Sequence, residues 1–374
     1  MEDLRTATAA TTLAELTTLH VGGAIRRLIH PLSRDALTRA IALADAEDDQ
    51  LLILGGGSNL LASDDPFNGV VIQDQRRDIT AAVAPDRPGH RLVTASAGTV
   101  WDEFVQWTLD RGLCGLEALS GIPGTVGAAP VQNVGAYGHE VGETLDSVLV
   151  WDRGEGVEKT LDSADLALSY RNSNIKRSIY EGDDTGRTWG PTGRSVVLEA
   201  TFLLEESPFS APVMYRELAA RLGVEQGERA DARLVRDTVL ALRRSKGMVL
   251  DPGDHDTWSA GSFFTNPILT AAEAAGLPEA APRFPAGVNE AGEGLVKTSA
   301  AWLIDHAGFA KGWAVPGARA EGASLSHKHV LALTNRGRAT SGEVEELARA
   351  IIAGVEGAFG VTLVAEPVTV GITW

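Results

Sequence analysis

Two stretches of this chain carry little but main chain where chemistry could be done. "LLILGGGSNLL", residues 51–61, places Gly55, Gly56 and Gly57 directly after an apolar run and follows them with Ser58 and Asn59. Residues 120–139, "SGIPGTVGAAPVQNVGAYGH", hold Gly121, Gly124, Gly127, Gly135 and Gly138, with His139 as their sole acid or base. Glycine loses more freedom on folding than any other residue, so such runs serve positive φ or the close approach of a partner. Successive amides in glycine turns form nests that hold phosphate oxygens without formal charge. Two nests about sixty residues apart could grip the two ends of one pyrophosphate. Tight turns and close strand packing are the alternatives for both runs. The dinucleotide fingerprint is excluded, because Leu60 stands where its third glycine belongs and residues 62–70 leave no room for a crossover helix. A Walker loop is excluded by the missing lysine. His327 and His329 form an i, i+2 pair, but no third ligand lies nearby in sequence, so no metal is expected.

The elements that must position these residues read as follows. After a flexible start, residues 32–48 read as a helix with Ser33 as N-cap and Ala36, Leu37, Ala40, Ile41 and Ala44 inward. A second helix in "TVWDEFVQWTLDRG" has Thr99 and Asp102 at capping spacing, Val100, Phe104 and Trp107 on one stripe and Gly112 as its stop. "SVLVWD" and "VVLEATFLL" are strands, and residues 181–193 read as a surface insertion. Prolines, serines and charges near residue 206 mark a domain boundary. Beyond it, Val235, Val239 and Leu242 define one helix, and Val344, Leu347, Ile351 and Val355 another, framed by strands in "HVLALTN" and "VTLVAEPVTVG". Both halves read as α+β, not as a doubly wound parallel sheet.

The chain has 374 residues, 44% of them hydrophobic and 22% charged, ordinary for a globular protein of two or three domains. No apolar stretch reaches the roughly 18–20 residues that span a bilayer, and the acidic N-terminus lacks a signal sequence, so a cytoplasmic protein is expected. Its single cysteine, Cys114, precludes an intrachain disulfide. A net charge of −17 disfavours nucleic acid and anionic membranes, while leaving room for an anionic ligand met by local cations and amides.

"LILGGGSNLL", "SGIPGTVGAAPVQNVGAYG", "YRNSNIKRS", "AGSFFTNP" and "SHKHVLALTN" occur in the order and approximate spacing of the UDP-N-acetylenolpyruvoylglucosamine reductase (MurB) family. The chain resembles that family over nearly its whole length, and "APVMYRELAARLG" is similar to the segment of its longer, type I form. The resemblance implies a two-lobed FAD-binding domain of the vanillyl-alcohol-oxidase (PCMH) type over 1–205, with lobes of about 1–80 and 81–205. It implies an α+β substrate-binding domain over 206–374, whose last strand returns toward the active site. The implied reaction reduces the enolpyruvyl ether of UDP-N-acetylglucosamine enolpyruvate to a lactyl ether, with NADPH as electron donor, noncovalent FAD as relay and a monomer as the working form.

Carried over residue by residue, the resemblance assigns Gly55, Gly56, Gly57, Ser58, Asn59, Gly121, Ile122, Pro123, Gly124, Gly127, Asn133, Gly135, Ala136 and Tyr137 to the cofactor. Arg171 matches the arginine facing the substrate carboxylate, where a planar guanidinium donates bonds that strengthen as charge develops. By its neighbours alone it could be a surface arginine beside Lys176 and Arg177. Ser262 matches the proton donor, a weak acid that suffices against a carbanion-like C2; otherwise it reads as a turn residue. Glu366 matches the glutamate near the reacting carbon, although Val364 and Ala365 replace the usual acidic context; the other reading is an edge-strand acid in solvent. Tyr215, Tyr170, Lys246 and Asn266 match substrate contacts, and Tyr215 by periodicity alone would be a core aromatic. Thr17 and Ile175 depart from the family pattern. An FAD-dependent sugar or alcohol oxidase of the same fold is the competing function.

Overall fold

The computed structural model describes residues 4–6, 11–289 and 291–373; residues 1–3 and 7–10 of the expected flexible start lie outside them. The chain divides into two compact units and passes between them repeatedly. The first comprises the described residues up to Thr12, Ala24–Gly57 and Pro66–Val249, and the second Leu13–Gly23, Ser58–Asp65 and Leu250 onward.

In the first unit, strands Leu4–Thr6, Ile25–Pro31, Phe67–Ile72 and Leu51–Ile53 lie side by side in that order, the last three mutually parallel. A larger antiparallel sheet runs Val157–Asp162, Leu145–Asp152, Ser195–Glu206, His90–Ser96, Ile79–Val83, and Leu113–Cys114 adds to Ser195–Glu206. Helix Arg34–Ala46 forms as expected, with the Ser33 hydroxyl accepting from the Ala36 amide at 3.2 Å. Its apolar face, Leu37, Ala40, Ile41 and Ala44, packs on Leu51, Val70 and Ile72 of the first sheet and on Val196 and Leu198 of the second. Phe202 and Leu204 of the same long strand instead join Phe104 and Val105 of helix Trp101–Asp110. The register shift between Leu149 and Val150 opposite that strand changes which side chains face which layer, as a bulge does.

Three local expectations are revised. Thr99 does not cap helix Trp101–Asp110: Val100 holds the N-cap position without a side-chain bond, and Asp102 points elsewhere. Trp101, Phe104, Val105, Thr108 and Leu109 form the buried stripe, while Val100 and Trp107 are only half-buried. Residues 206–249, expected with the C-terminal half, pack in the first unit. There helices Arg216–Leu222 and Ala232–Ser245 bury Leu218, Ala219, Val235, Val239 and Leu242 against each other. The 181–193 insertion is anchored as well, since Trp189 is buried and its carbonyl and those of Thr192 and Gly193 accept from Arg153.

In the second unit, helix Ser341–Phe359 begins with a Thr340–Glu343 capping box and buries Val344, Leu347, Ile351 and Val355 as its periodicity requires. With helix Ala300–His306 it covers a core containing Leu19, Leu61, Phe263, Phe264 and Leu333. The expected flanking strands shrink to Leu333–Asn335 and Val368–Val370. Val368–Val370 runs parallel to Leu60–Ala62, the strand that follows the first glycine run.

Candidate active site

The first glycine run leaves a nearly buried strand, Leu51–Ile53, whose end is fixed from three directions. The Ile53 amide donates to Thr192 Oγ1 at 2.8 Å, the Leu54 amide to the Ile72 carbonyl at 2.8 Å, and Gln73 Nε2 to the Gly55 carbonyl at 3.2 Å. A Cβ on Gly56 would lie 2.7 Å from Gly124 Cα, and one on Gly55 would lie 2.8 Å from Thr125 Oγ1. The two glycine runs therefore meet, and the partner that forbids side chains at 55 and 56 is the second run itself.

Helix Trp101–Asp110 holds that second run. The Trp101 amide donates to the Gly124 carbonyl at 3.1 Å, its indole to the Leu119 carbonyl at 2.9 Å, and Asp102 accepts from the Gly121 amide at 2.6 Å. Arg236 grips the same carboxylate with both terminal nitrogens, at 2.6 and 2.8 Å. Burial alone would raise the pKa of Asp102, but the bonds from Arg236 and the Gly121 amide outweigh it and hold the carboxyl below its ordinary range. Further along, Val126 and Gly127 spend their amides on the Thr99 and Ala97 carbonyls. A Cβ on Gly127 would strike that of Ala97 at 2.4 Å, so close packing accounts for this glycine. The part left for the expected nest is 121–125, where Ile122 and Pro123 are half-buried.

Gly135–Ala136 and His139–Glu140 form a hairpin whose two turn residues, Tyr137 and Gly138, both have positive φ, 52° and 87°. This is the primed geometry that suits strand twist, and it presents the Tyr137 side chain at the tip. The Tyr137 ring meets that of Tyr215 edge-on at 5.4 Å. Asn133, left-handed at φ 46°, spends its side chain internally, donating to Glu140 and the Ser169 carbonyl and accepting from the Gly142 amide. It thereby fixes the tight turn 169–172, which carries Tyr170 and Arg171. Arg171 is half-buried and donates to the Gly135 carbonyl at 3.0 Å. It is thus tied to the hairpin and is no surface arginine.

Lys246 Nζ lies 6.0 Å from the Tyr215 ring and 2.8 Å from Glu217. Tyr215 itself is 40% exposed at the start of its helix, which removes the core-aromatic reading. Sequence reasoning passed over Arg243, three residues before Lys246 and so on the same helical face. Its Nη2 donates to the Met248 carbonyl at 2.8 Å, while Nε is buried without a hydrogen-bond partner. Burial pushes its pKa down to about 10, with Tyr137 and Asp102 opposing and Arg171 adding to the effect. Arg171, Arg243 and Lys246 make a local cationic cluster in an acidic chain, and an arginine three residues before an assigned lysine was the available signal.

In the second unit, Ser262 follows Gly261, whose φ is +74°. The next residue, Phe263, donates its amide to the Leu331 carbonyl at 2.7 Å and accepts from the Glu366 amide at 2.8 Å. Phe264 bridges Ala365, so the segment after Ser262 runs antiparallel to the one that ends in Glu366. Glu366 is only 7% exposed, which removes the solvent-facing reading. Asn59 Nδ2 donates to the Glu366 carbonyl at 3.4 Å, and the Val368 amide to the Asn59 carbonyl at 3.0 Å. Asn59, at the polar end of the first glycine run, is therefore held by the segment around Glu366. Asn266 uses Oδ1 to accept from the Ala300 amide at 3.0 Å, capping a helix. His327 faces Asp256 at 3.4 Å, and among the described residues no group of three or more His, Cys, Asp or Glu side chains could hold a metal.

The glycine contact fits FAD: small residues let two loops close on each other, with no carboxylate in residues 120–139 to repel a pyrophosphate. The residues that would hold it are Gly55–Gly57 and 121–125, with Gly135–Tyr137 alongside. A two-sheet fold with this cradle, joined in one chain to a unit bearing a hydroxyl and a carboxylate on paired segments, defines a flavin-dependent oxidoreductase. Residues 25–161 match the FAD binding domain and residues 251–370 the UDP-N-acetylenolpyruvoylglucosamine reductase, C-terminal domain. A UDP-N-acetylenolpyruvoylglucosamine reductase of Cutibacterium acnes is 48% identical over 96% of this chain and 89% of its own, and one of Thermobifida fusca 46% identical over 96% and 97%. The chain belongs to the UDP-N-acetylenolpyruvoylglucosamine reductase family. The crystal structure of that reductase from Thermus caldophilus shares the fold, with a TM-score of 0.61 at 24% identity over 98% of this chain and 99% of that one.

Proposed function

We propose that this protein reduces the enolpyruvyl group of UDP-N-acetylglucosamine enolpyruvate to give UDP-N-acetylmuramate, a peptidoglycan precursor, at the expense of NADPH. The observation that supports the reading is the main-chain pairing of the segments bearing Ser262 and Glu366, with Glu366 itself buried. Bound FAD would supply hydride transfer, accepting the hydride from NADPH and passing it to the vinyl carbon. Arg171 donates to the substrate carboxylate and strengthens its hold as negative charge grows there. Ser262 Oγ gives its proton to C2, and Glu366 orients the reacting group. Tyr170, Tyr215, Lys246 and Asn266 hold the UDP-sugar, with the Lys246 ammonium on phosphate. Arg243 adds a third cation to that anionic ligand.

The finer assignments complete the proposal: the first unit serves the flavin and contributes Tyr170, Arg171, Tyr215 and Lys246 to the substrate, and the protein works as a cytoplasmic monomer without nucleic-acid or membrane partners, in support of cell-wall growth, cell shape and division. Among the described residues no helix is long and apolar enough to cross a membrane. The test is to follow NADPH absorbance with and without UDP-N-acetylglucosamine enolpyruvate. Substrate-dependent oxidation is expected; its absence sinks the reading. The competing oxidase of the same fold would turn over with oxygen and an alcohol or sugar without NADPH. Relatives of named reductase activity over nearly the whole chain weigh against it.

A further inference from the structure

The segment that ends in Ser262 is fixed from a distant part of the sequence. Residues 17–21 form a turn with left-handed His20 at φ 54°, closed by the Thr17 hydroxyl on the Val21 carbonyl at 3.2 Å. Asn335 Nδ2 braces it by donating to the Leu19 and His20 carbonyls at 3.2 and 3.0 Å. From this turn the Thr18 hydroxyl, in a side chain only 6% exposed, donates to the Ser259 carbonyl at 2.7 Å. Ser259 is itself 5% exposed, and its Oγ accepts from the Gly261 amide at 3.2 Å. The His20 ring lies 4.1 Å from that of Trp258, next in the same segment, and the Asn335 amide donates to the Trp258 carbonyl at 3.0 Å.

Ser262 thus hangs between two fixed points. On its C-terminal side Phe263 is held by Leu331 and Glu366; on its N-terminal side Gly261 is held by Ser259, which is held by Thr18. Gly261 is the weak link, since its positive φ and open surroundings leave nothing else to define it. We infer that Thr18 is a positioning residue for the proton donor: its hydroxyl, acting through Ser259 and Gly261, sets where Ser262 Oγ stands. The inference rests on the reductase reading above, because it presumes that Ser262 delivers a proton. Misplacing a reacting group by about 1 Å costs on the order of 100-fold in rate.

The test separates two half-reactions in the flavin-loaded enzyme: bleaching of the flavin by NADPH, and recovery of its colour on adding UDP-N-acetylglucosamine enolpyruvate. In Thr18→Val, bleaching should stay within about twofold of the parent while colour recovery slows about 10- to 100-fold with a larger solvent deuterium isotope effect. Thr18→Ser, which restores the hydroxyl, should restore recovery. Recovery at the parent rate in Thr18→Val, or equal slowing of both half-reactions, overturns the inference. Should Thr18→Val fail to fold, Ser259→Ala removes the acceptor of the Gly261 amide and must show the same selective slowing; an unchanged rate overturns the inference equally. A parent enzyme that never recovers colour with this substrate would sink the reductase reading instead.

Discussion

In the first unit Gly55 and Gly56 press on Gly124 and Thr125, and the proposed hold on FAD falls to the main chain; in the second, Ser262 and Glu366 are ordinary side chains hung on two paired segments. The cradle needs residues that are absent as side chains, so it fails by addition. The proposed donor and carboxylate need particular atoms, so they fail by removal. Substitutions can break each region in its own way and so show whether the two carry separate half-reactions.

The largest effect is expected from Ser262→Ala, which should cut overall turnover about 10²- to 10⁴-fold while NADPH still bleaches the flavin. Equal loss of both half-reactions would erase the contrast between the regions. Next is Gly56→Ala: the added Cβ meets backbone at 2.7 Å, so the loops must part, and the purified protein should lose most of its bound FAD. Gly89→Ala is the control, with φ +77° but open space around it, and should cost about 1–2 kcal/mol of stability with full flavin content. If both variants bind FAD alike, the loop contact is not what holds the cofactor.

A smaller effect is expected of Asp102→Asn, which leaves Arg236 with a neutral partner and weakens the grip on the Gly121 amide. Because Asp102 is partly exposed, a loss near the lower end of about 1–3 kcal/mol should appear in thermal unfolding, with weaker FAD affinity. The smallest concerns pH. His139 bonds Glu143 at 2.7 Å and the Pro212 carbonyl at 2.8 Å, tying the segment before Tyr215 to the glycine hairpin. Burial alone would lower its pKa, but these bonds outweigh it and raise it above the ordinary 6.5. The stability it adds is therefore complete below about pH 6.5 and fades as pH climbs through the raised value. Thermal melts of the parent and His139→Gln should converge by about 1 kcal/mol or less between about pH 6 and 9. A constant gap would mean that the ring stays neutral.

The sequence made helices with a clean apolar stripe readable: Arg34–Ala46, Ala232–Ser245 and Ser341–Phe359 bury the residues their periodicity selects. It misled where tertiary contacts recruit a capping residue, as when Asp102 turns to Gly121 and Arg236 instead of its own helix. Glycine content exposed the cradle, but not that the runs touch each other or that Gly127 serves Ala97, since both are relations between distant segments. Ser262 and Glu366 carried no local signal and entered only through resemblance. Arg243 offered only its spacing from Lys246 and Thr18 offered nothing, since each acquires meaning from partners far along the chain.

The central claim is that one chain holds a flavin between its glycine runs and returns that flavin's hydride to an enolpyruvyl sugar. The most direct measurement is the visible spectrum of the purified protein through one anaerobic cycle. A yellow protein that NADPH bleaches and UDP-N-acetylglucosamine enolpyruvate recolours is the predicted result. A protein that takes up no FAD, or a bleached one that this substrate leaves colourless, would contradict it.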